Sequence, residues 1–240
     1  MSGKTRWALL AEGLVVIVSI LIAFGLDAWW DQLRSRVNLV DDLVNVGEEL
    51  EANLATLEFH ILMQRTAVAS LDDLATRATS EPKGSTIIVP DTILLAATIF
   101  TPTYDPSTGA VDALIARGGL SQLRDRQLQS ILAEFRTVVE DIREDELGAR
   151  RAAHQEILPL LWEDDEITPV FGRVNEYYSR GLEQTPLASS PVRITNAPGI
   201  SNRLSLRRAW LISALRELEG LKSSLELAHQ LLLAEMGAPD

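Results

Sequence analysis

Residues Leu9 to Leu26, LLAEGLVVIVSILIAFGL, form an apolar run of membrane length broken by one charge, Glu12. Trp7 precedes the run, and Trp29 and Trp30 follow it. At about 1.5 Å of rise per residue, Trp7 to Trp29 covers roughly 33 Å, close to the hydrocarbon thickness of a bilayer. Tryptophans at both ends match the interfacial aromatic belts. The uncharged stretch between Glu12 and Asp27 has 14 residues, Gly13 to Leu26, a length that also suits a signal-peptide core. Both charges sit near the ends of the span, where their cost falls well below the roughly 2.5–3.5 kcal/mol of a charge at a helix centre. Lys4 and Arg6 supply a basic n-region, and Ala23-Phe24-Gly25 supplies a small-x-small site, as in a cleaved leader. The helical pattern nevertheless runs on through Trp29 and Trp30 without the loop that a processing site uses. An uncleaved anchor over residues 7–30 is therefore preferred to a cleaved leader or a buried core helix.

Lys4, Arg6 and the amino terminus lie on one side of the span, and Arg34 and Arg36 lie just past the other. Counting positive charges is nearly a tie, and the short basic tail of residues 1–6 favours a cytoplasmic amino terminus with residues 31–240 extracytoplasmic. On a helical wheel Glu12, Ser19 and Ala23 fall within about 20° of one line, with Asp27 about 60° away. Ser19-x-x-x-Ala23 is a small-xxx-small step that lets two helices approach closely. Glu12, Ser19, Ala23 and Asp27 are therefore the candidate packing face, and Trp7, Trp29 and Trp30 the interfacial anchors.

The net charge of −12 lies beyond the span, because the first 30 residues carry two positive and two negative side chains. An acidic domain repels phosphate backbones, which argues against a nucleic-acid partner, and it is not drawn to an anionic leaflet. There is no cysteine, so disulfides, thiol nucleophiles and Cys-ligated metal sites are excluded.

Residues 31–79 contain no proline and one glycine, Gly47. Apolar residues recur at Leu33, Val37, Val40, Val44, Leu50, Leu54, Leu57, Ile61, Val68, Leu71 and Ala75, with Gly47 and Gln64 filling the gaps. The mean step is about 3.5 residues, the period of a supercoiled seam. The span is thus expected to continue into a long helix that needs partners. Glu81-Pro82-Lys83-Gly84-Ser85 reads as a stop and turn. Asp91 is expected to cap a short helix over Thr92–Phe100. Pro102 and Pro106 bracket a loop, and a short helix over Gly109–Arg117 ends at Gly118-Gly119. Asp125 is expected to cap a long helix to Trp162, with a seam at Leu128, Ile131, Phe135, Val138 and Ile142 and a kink at Pro159. Val170–Arg180 reads as a short helix, and Pro186, Pro191 and Pro198 mark irregular chain. A final long helix, Asn202–Met236, has its seam at Leu211, Leu215, Leu218, Leu225, Ala228 and Leu232. Ser85–Pro90 is the nearest approach to a strand. The expected fold is all-α: a transmembrane helix continuing into an elongated bundle of three long helices plus short ones.

The opening block, Glu12 followed by Ser19-Ile20-Leu21-Ile22-Ala23-Phe24-Gly25-Leu26-Asp27-Ala28-Trp29, resembles that of a broad bacterial family of uncharacterised single-span membrane proteins, a domain of unknown function. That family opens with Glu, an apolar run, Ile-Ala, and then Asp or Asn, any residue and Trp. Ala110, Leu114, Gly118, Leu120, Ser121, Arg124 and Leu128 are similar to its central pattern. Arg117 replaces the family's Ser and Val111 a common aromatic. The resemblance implies an anchored helical architecture at a bacterial inner membrane and no catalytic residue.

Chemical motifs fail on their surroundings. Gly3-Lys4-Thr5 lacks the upstream glycine of a P-loop. Glu226-x-x-His229 has the spacing of a di-iron bundle, but His60 and His154 have no Glu three residues before them. Ser80-x-x-Lys83 falls in a turn with no supporting motif. Glu163-Asp164-Asp165-Glu166 reads as a solvated turn rather than a cation site. Tyr104, Tyr177, Tyr178, Trp162 and Trp210 are expected to pack in the core or at its rim. Arg203, Arg207 and Arg208 are expected to pair with neighbouring carboxylates. No cofactor, metal site or enzymatic activity is expected. The leading class is a non-enzymatic scaffold or protein-interaction module whose partners are the bilayer and a second copy or another membrane protein. The alternative is a ligand-sensing bundle that signals through a separate partner.

Overall fold

The computed structural model describes residues 3–162, 167–176 and 188–237, with residues 3–17, 28 and 31–37 described as backbone alone. The chain is built on three long helices: α1 (Gly3–Ser80), α4 (Arg126–Arg151) and α7 (Ile200–Gly237). Between them lie α2 (Asp91–Leu94), α3 (Gly109–Ala116), α5 (Leu158–Leu161) and α6 (Thr168–Gly172), with two short strands, β1 (Thr86–Pro90) and β2 (Pro191–Thr195). The helical bundle matches the sequence pattern. The antiparallel ribbon of β1 and β2 is added to the all-α expectation.

The ribbon obeys a period of two. Ile87, Val89, Val192 and Ile194 face inward, and Thr86, Ile88, Arg193 and Thr195 face outward. Pro90 and Pro191 pair at its end, where the missing N–H groups interrupt no inner ladder. The prolines around Pro191 hid β2 from the sequence reading. The buried Asn196 locks the ribbon to the end of α1. Its amide nitrogen donates to the carbonyls of Ala78, Glu81 and Pro82 at 3.1, 2.8 and 3.0 Å, satisfying acceptors that a helix end leaves open.

The core has two clusters. The one at the ribbon end gathers Leu71, Leu74, Leu94, Phe100, Ile157, Ile194 and Leu204 around it. The other gathers Leu43, Leu50, Leu57, Leu128, Phe135, Leu218 and Leu225 between α1, α4 and α7. The expected seam of α7 is buried at Leu211, Leu218, Leu225, Ala228 and Leu232. Asp125 caps α4 as expected, accepting from the N–H groups of Gln127 and Leu128 at 2.8 and 2.9 Å. Helical structure continues from α4 into α5, but Ala152–Ile157 widens to π turns just ahead of Pro159. A proline that cannot donate within the helix accounts for this distortion.

The seam of α1 divides at Gly47. From Leu50 onward the expected positions Leu50, Leu57, Ile61, Gln64 and Leu71 are buried. Toward the amino terminus the core takes Val46, Leu43 and Leu39 instead, leaving Val40 and Val44 exposed. Their expected place in the bundle seam is thereby corrected. One helix of 3.6-residue period cannot keep a 3.5-residue stripe against a single neighbour without supercoiling.

Among the described residues no helix is long and apolar enough to cross a membrane. The first half of the apolar run, Leu9–Ile17, lies outside the residues whose side chains are described. The other half, Val18–Leu26, lies on a helix with its large apolar side chains exposed.

Candidate functional site

The most unusual chemistry lies between the two core clusters. There Gln64 of α1 and Glu146 of α4 are buried at seam positions, and Glu146 is 2% exposed. Gln64 Nε2 donates to Glu146 Oε1 at 2.7 Å, and the Tyr104 backbone N–H donates to Glu146 Oε2 at 2.9 Å. Burial pushes the Glu146 carboxyl up to about 8, against the opposing effects of Tyr104, Arg150 and Gln64. Glu146 therefore holds its proton near neutrality, as a carboxyl in an apolar site does. His60 is half-buried beside this layer, edge-on to Tyr104 with centroids 5.6 Å apart, and burial lowers its pKa. Burial raises the Tyr104 phenol.

The layer exists to hold residues 97–111. Pro102 and Pro106 keep part of this connector out of any helix, so its buried backbone groups need side-chain partners. Arg207, fully buried, donates to the Ala97 and Phe100 carbonyls, the second at 2.5 Å. Arg150 donates to the Thr101 carbonyl at 3.3 Å. Asn53 grips Ser107 twice, its amide nitrogen donating to the carbonyl at 2.7 Å and its oxygen accepting from the N–H at 2.9 Å. Glu49 caps α3 from a distance, accepting from the N–H groups of Ala110 and Val111 at 2.9 and 3.1 Å. Burial brings the pKa of Arg207 down to about 9.

Arg207 corrects a sequence expectation: it meets carbonyls rather than carboxylates. Its neighbours behave as expected, Arg208 pairing with Asp72 at 2.5 Å and Arg203 with Glu156 at 3.4 Å. Asp91 is not the cap of α2 but its first residue. Its carboxylate accepts from the Ser190 N–H at 3.1 Å and the Ser189 hydroxyl at 3.0 Å, and pairs with Arg173. Burial raises its pKa, but these partners outweigh that and hold it below the ordinary carboxylate range. A cleft of about 460 Å³ opens beside this pair, lined also by Pro169, Val170, Ala188, Pro191 and Val192.

The remaining candidates separate. Tyr104 is core and Trp210 is rim, but Trp162 is 66% exposed, against its expected packing. Tyr177, Tyr178 and Glu163–Glu166 lie outside the described residues. Glu226 is exposed and 3.6 Å from Lys222, and His229 on the next turn is half-buried. Among the described residues no cluster of His, Asp and Glu is arranged to hold a metal ion. Ser80 donates to the Thr76 carbonyl at 2.8 Å, while Lys83 donates to the Ala78 carbonyl at 2.9 Å, so the two form no acyl-transfer pair. Ser19, Ala23 and Asp27 lie on the exposed part of α1, and Trp29 and Trp30 are 57% and 59% exposed. The side chains of Trp7 and Glu12 lie outside those described.

Sequence reasoning missed Glu146. The signal was present: Ile142, Glu146 and Ala149 continue the α4 seam, and Gln64 occupies a gap in the α1 seam. The chain matches no family model, no curated protein and no solved structure.

Proposed function

We propose that this is a single-span membrane protein whose bundle is a non-enzymatic scaffold or protein-interaction module at a bacterial inner membrane. The observation that carries the reading is the exposed apolar stretch of α1. Val18, Ile20, Leu21, Ile22, Phe24 and Leu26 are each at least 45% exposed on one continuous helix that then enters the bundle. An apolar surface of this kind marks a membrane or protein contact, and its exposure on all sides favours lipid over a single groove. Trp29 and Trp30 stand where the interfacial belt belongs. The resemblance of the opening block to the uncharacterised membrane family points the same way. The amino terminus is taken as cytoplasmic and the bundle as extracytoplasmic.

Glu146 and Arg207, both strongly perturbed by burial, are spent on holding the connector. Neither faces solvent, so neither supports a reaction with an outside substrate. The alternative, a ligand-sensing bundle, rests on the cleft beside Asp91 and Arg173, whose volume falls in the range of small-molecule sites. Asp91 and Arg173 already satisfy one another, which favours the scaffold.

Alkaline carbonate extraction of native membranes tests the anchor. The full chain should stay in the pellet and come out in mild detergent. Release by carbonate would overturn the reading. Because the chain has no cysteine, an Asn45→Cys variant also reports orientation: an impermeant maleimide should label it from outside the inner membrane.

A further inference from the structure

We infer that two copies of this chain associate through a parallel, two-stranded coiled coil formed by α1 below the bundle, continuous with the packing face of the span. This inference rests on the membrane reading. It starts from the division of the α1 seam at Gly47. Val40 and Val44 are 52% and 44% exposed on a helix whose other face is packed into the bundle at Leu43, Val46 and Leu50. Leu33, Val37, Val40 and Val44 follow the 4-3-4 spacing of a heptad and fall within about 60° of one another on a helical wheel. The bundle-facing residues lie about 120° away on the same wheel. The spacing thus marks a second seam, and among the described residues its members Val40 and Val44 are uncovered.

Among the described residues nothing covers Val40 and Val44, and lipid does not reach them. Val44 stands about 21 Å along the helix from Trp30, beyond the reach of the hydrocarbon.

Charge pattern selects a second copy. With Val37 and Val44 at a positions and Leu33 and Val40 at d positions, Arg36 falls at g and Asp41 at the following e. In a parallel pair these are the positions that form interhelical ion pairs, here two per dimer with opposite signs. Two chains anchored in one bilayer with the same topology are parallel from the outset. β-branched residues at a favour two strands. The same register, carried into the span, places Ser19 and Leu26 at d and Ala23 and Trp30 at a, so the span's small face and the stalk stripe form one line once the helices supercoil. Beyond Val44 that face carries Glu48 and Glu51, both exposed, which ends the stripe and sets the bundles apart.

The test is cysteine cross-linking of the full chain in isolated membranes. Val40→Cys and Val44→Cys should form disulfide-linked dimers on mild oxidation several-fold more than Asn45→Cys, because only in-register a and d positions bring identical Cβ atoms within bonding distance. Arg36→Glu combined with Val40→Cys should lower the yield several-fold, and adding Asp41→Arg should restore it. Equal yields at Val40 and Asn45, or no dimer at either stripe position, would overturn the inference, as would a charge exchange that fails to restore the yield. Carbonate washing of the same membranes keeps the two readings apart. Protein that stays in the pellet and does not cross-link sinks the dimer alone, whereas protein that washes out sinks the anchor.

Discussion

Glu146 governs how this fold should respond to pH. Its folded pKa of about 8 lies above the ordinary value of 4.5 that it regains on unfolding. The folded state therefore binds the extra proton, and its stabilising effect is complete below about pH 4.5. It is lost as pH rises toward 8, at up to about 1.4 kcal/mol per pH unit. Glu146→Gln keeps an acceptor for Tyr104 and removes the titration. Thermal unfolding of the bundle at pH 5, 7 and 9 should show the wild-type Tm falling relative to the variant with rising pH, with the variant more stable at pH 9. Parallel profiles would mean that Glu146 titrates as an ordinary carboxylate. His60 works oppositely, since burial lowers it and favours the neutral ring, so its contribution fades as pH drops below about 6.5. Comparing the variant with the wild type cancels that term. Arg207→Met makes the companion case. It keeps most of the volume but strips two buried carbonyls of their donor, and it should lower stability by about 2–5 kcal/mol in urea unfolding. An unchanged midpoint would show that the connector finds other donors.

At the scale of elements, packing between α4 and α7 turns on a missing side chain. A Cβ on Gly148 would lie 2.6–3.0 Å from three carbons of the Trp210 indole. Gly148→Ala gains about 1 kcal/mol of helix propensity, yet the ring must move or the helices must part, at about 1–3 kcal/mol. The expected result is a net loss of up to about 2 kcal/mol in denaturant unfolding together with altered tryptophan fluorescence. A stabilised variant would show that the ring yields freely. The long helices were legible because their seams recur over many turns, and Asp125 and Gly237 punctuate them. The ribbon was not legible, since β2 is five residues whose partner lies about a hundred residues earlier, and no local period reports such a pairing. The polar layer was half-legible. Gln64 and Glu146 stand out as polar residues in apolar seams, but only the fold shows that both serve the same proline-broken connector. Arg207 misled for a related reason: its sequence neighbours Arg203 and Arg208 do meet carboxylates, whereas Arg207, about 40° and 100° from them around the helix, turns inward to carbonyls.

For the whole molecule, the division of labour along α1 leads to a test by truncation. Among the described residues every member of both core clusters lies at Leu39 or beyond, so a fragment that lacks residues 1–37 keeps all of them. The removed portion holds the apolar run, the tryptophans, and Leu33 and Val37 of the stripe. The Val40 and Val44 that remain cover about one turn, far short of the length at which a helix pair holds together. A fragment of residues 38–240 should therefore fold cooperatively, run as a monomer on size exclusion with light scattering, and show the circular dichroism of a helical bundle. It should not float with lipid vesicles of mixed zwitterionic and anionic composition, because its acidic surface is repelled by anionic headgroups. A fragment that unfolds without cooperativity would mean that the bundle depends on the stalk for its order. A folded fragment that still dimerises would place the contact between copies on the bundle, and one that floats would place membrane binding there too. The fragment keeps every described member of both core clusters, so a difference between it and the full chain in association or membrane binding points to the first 37 residues.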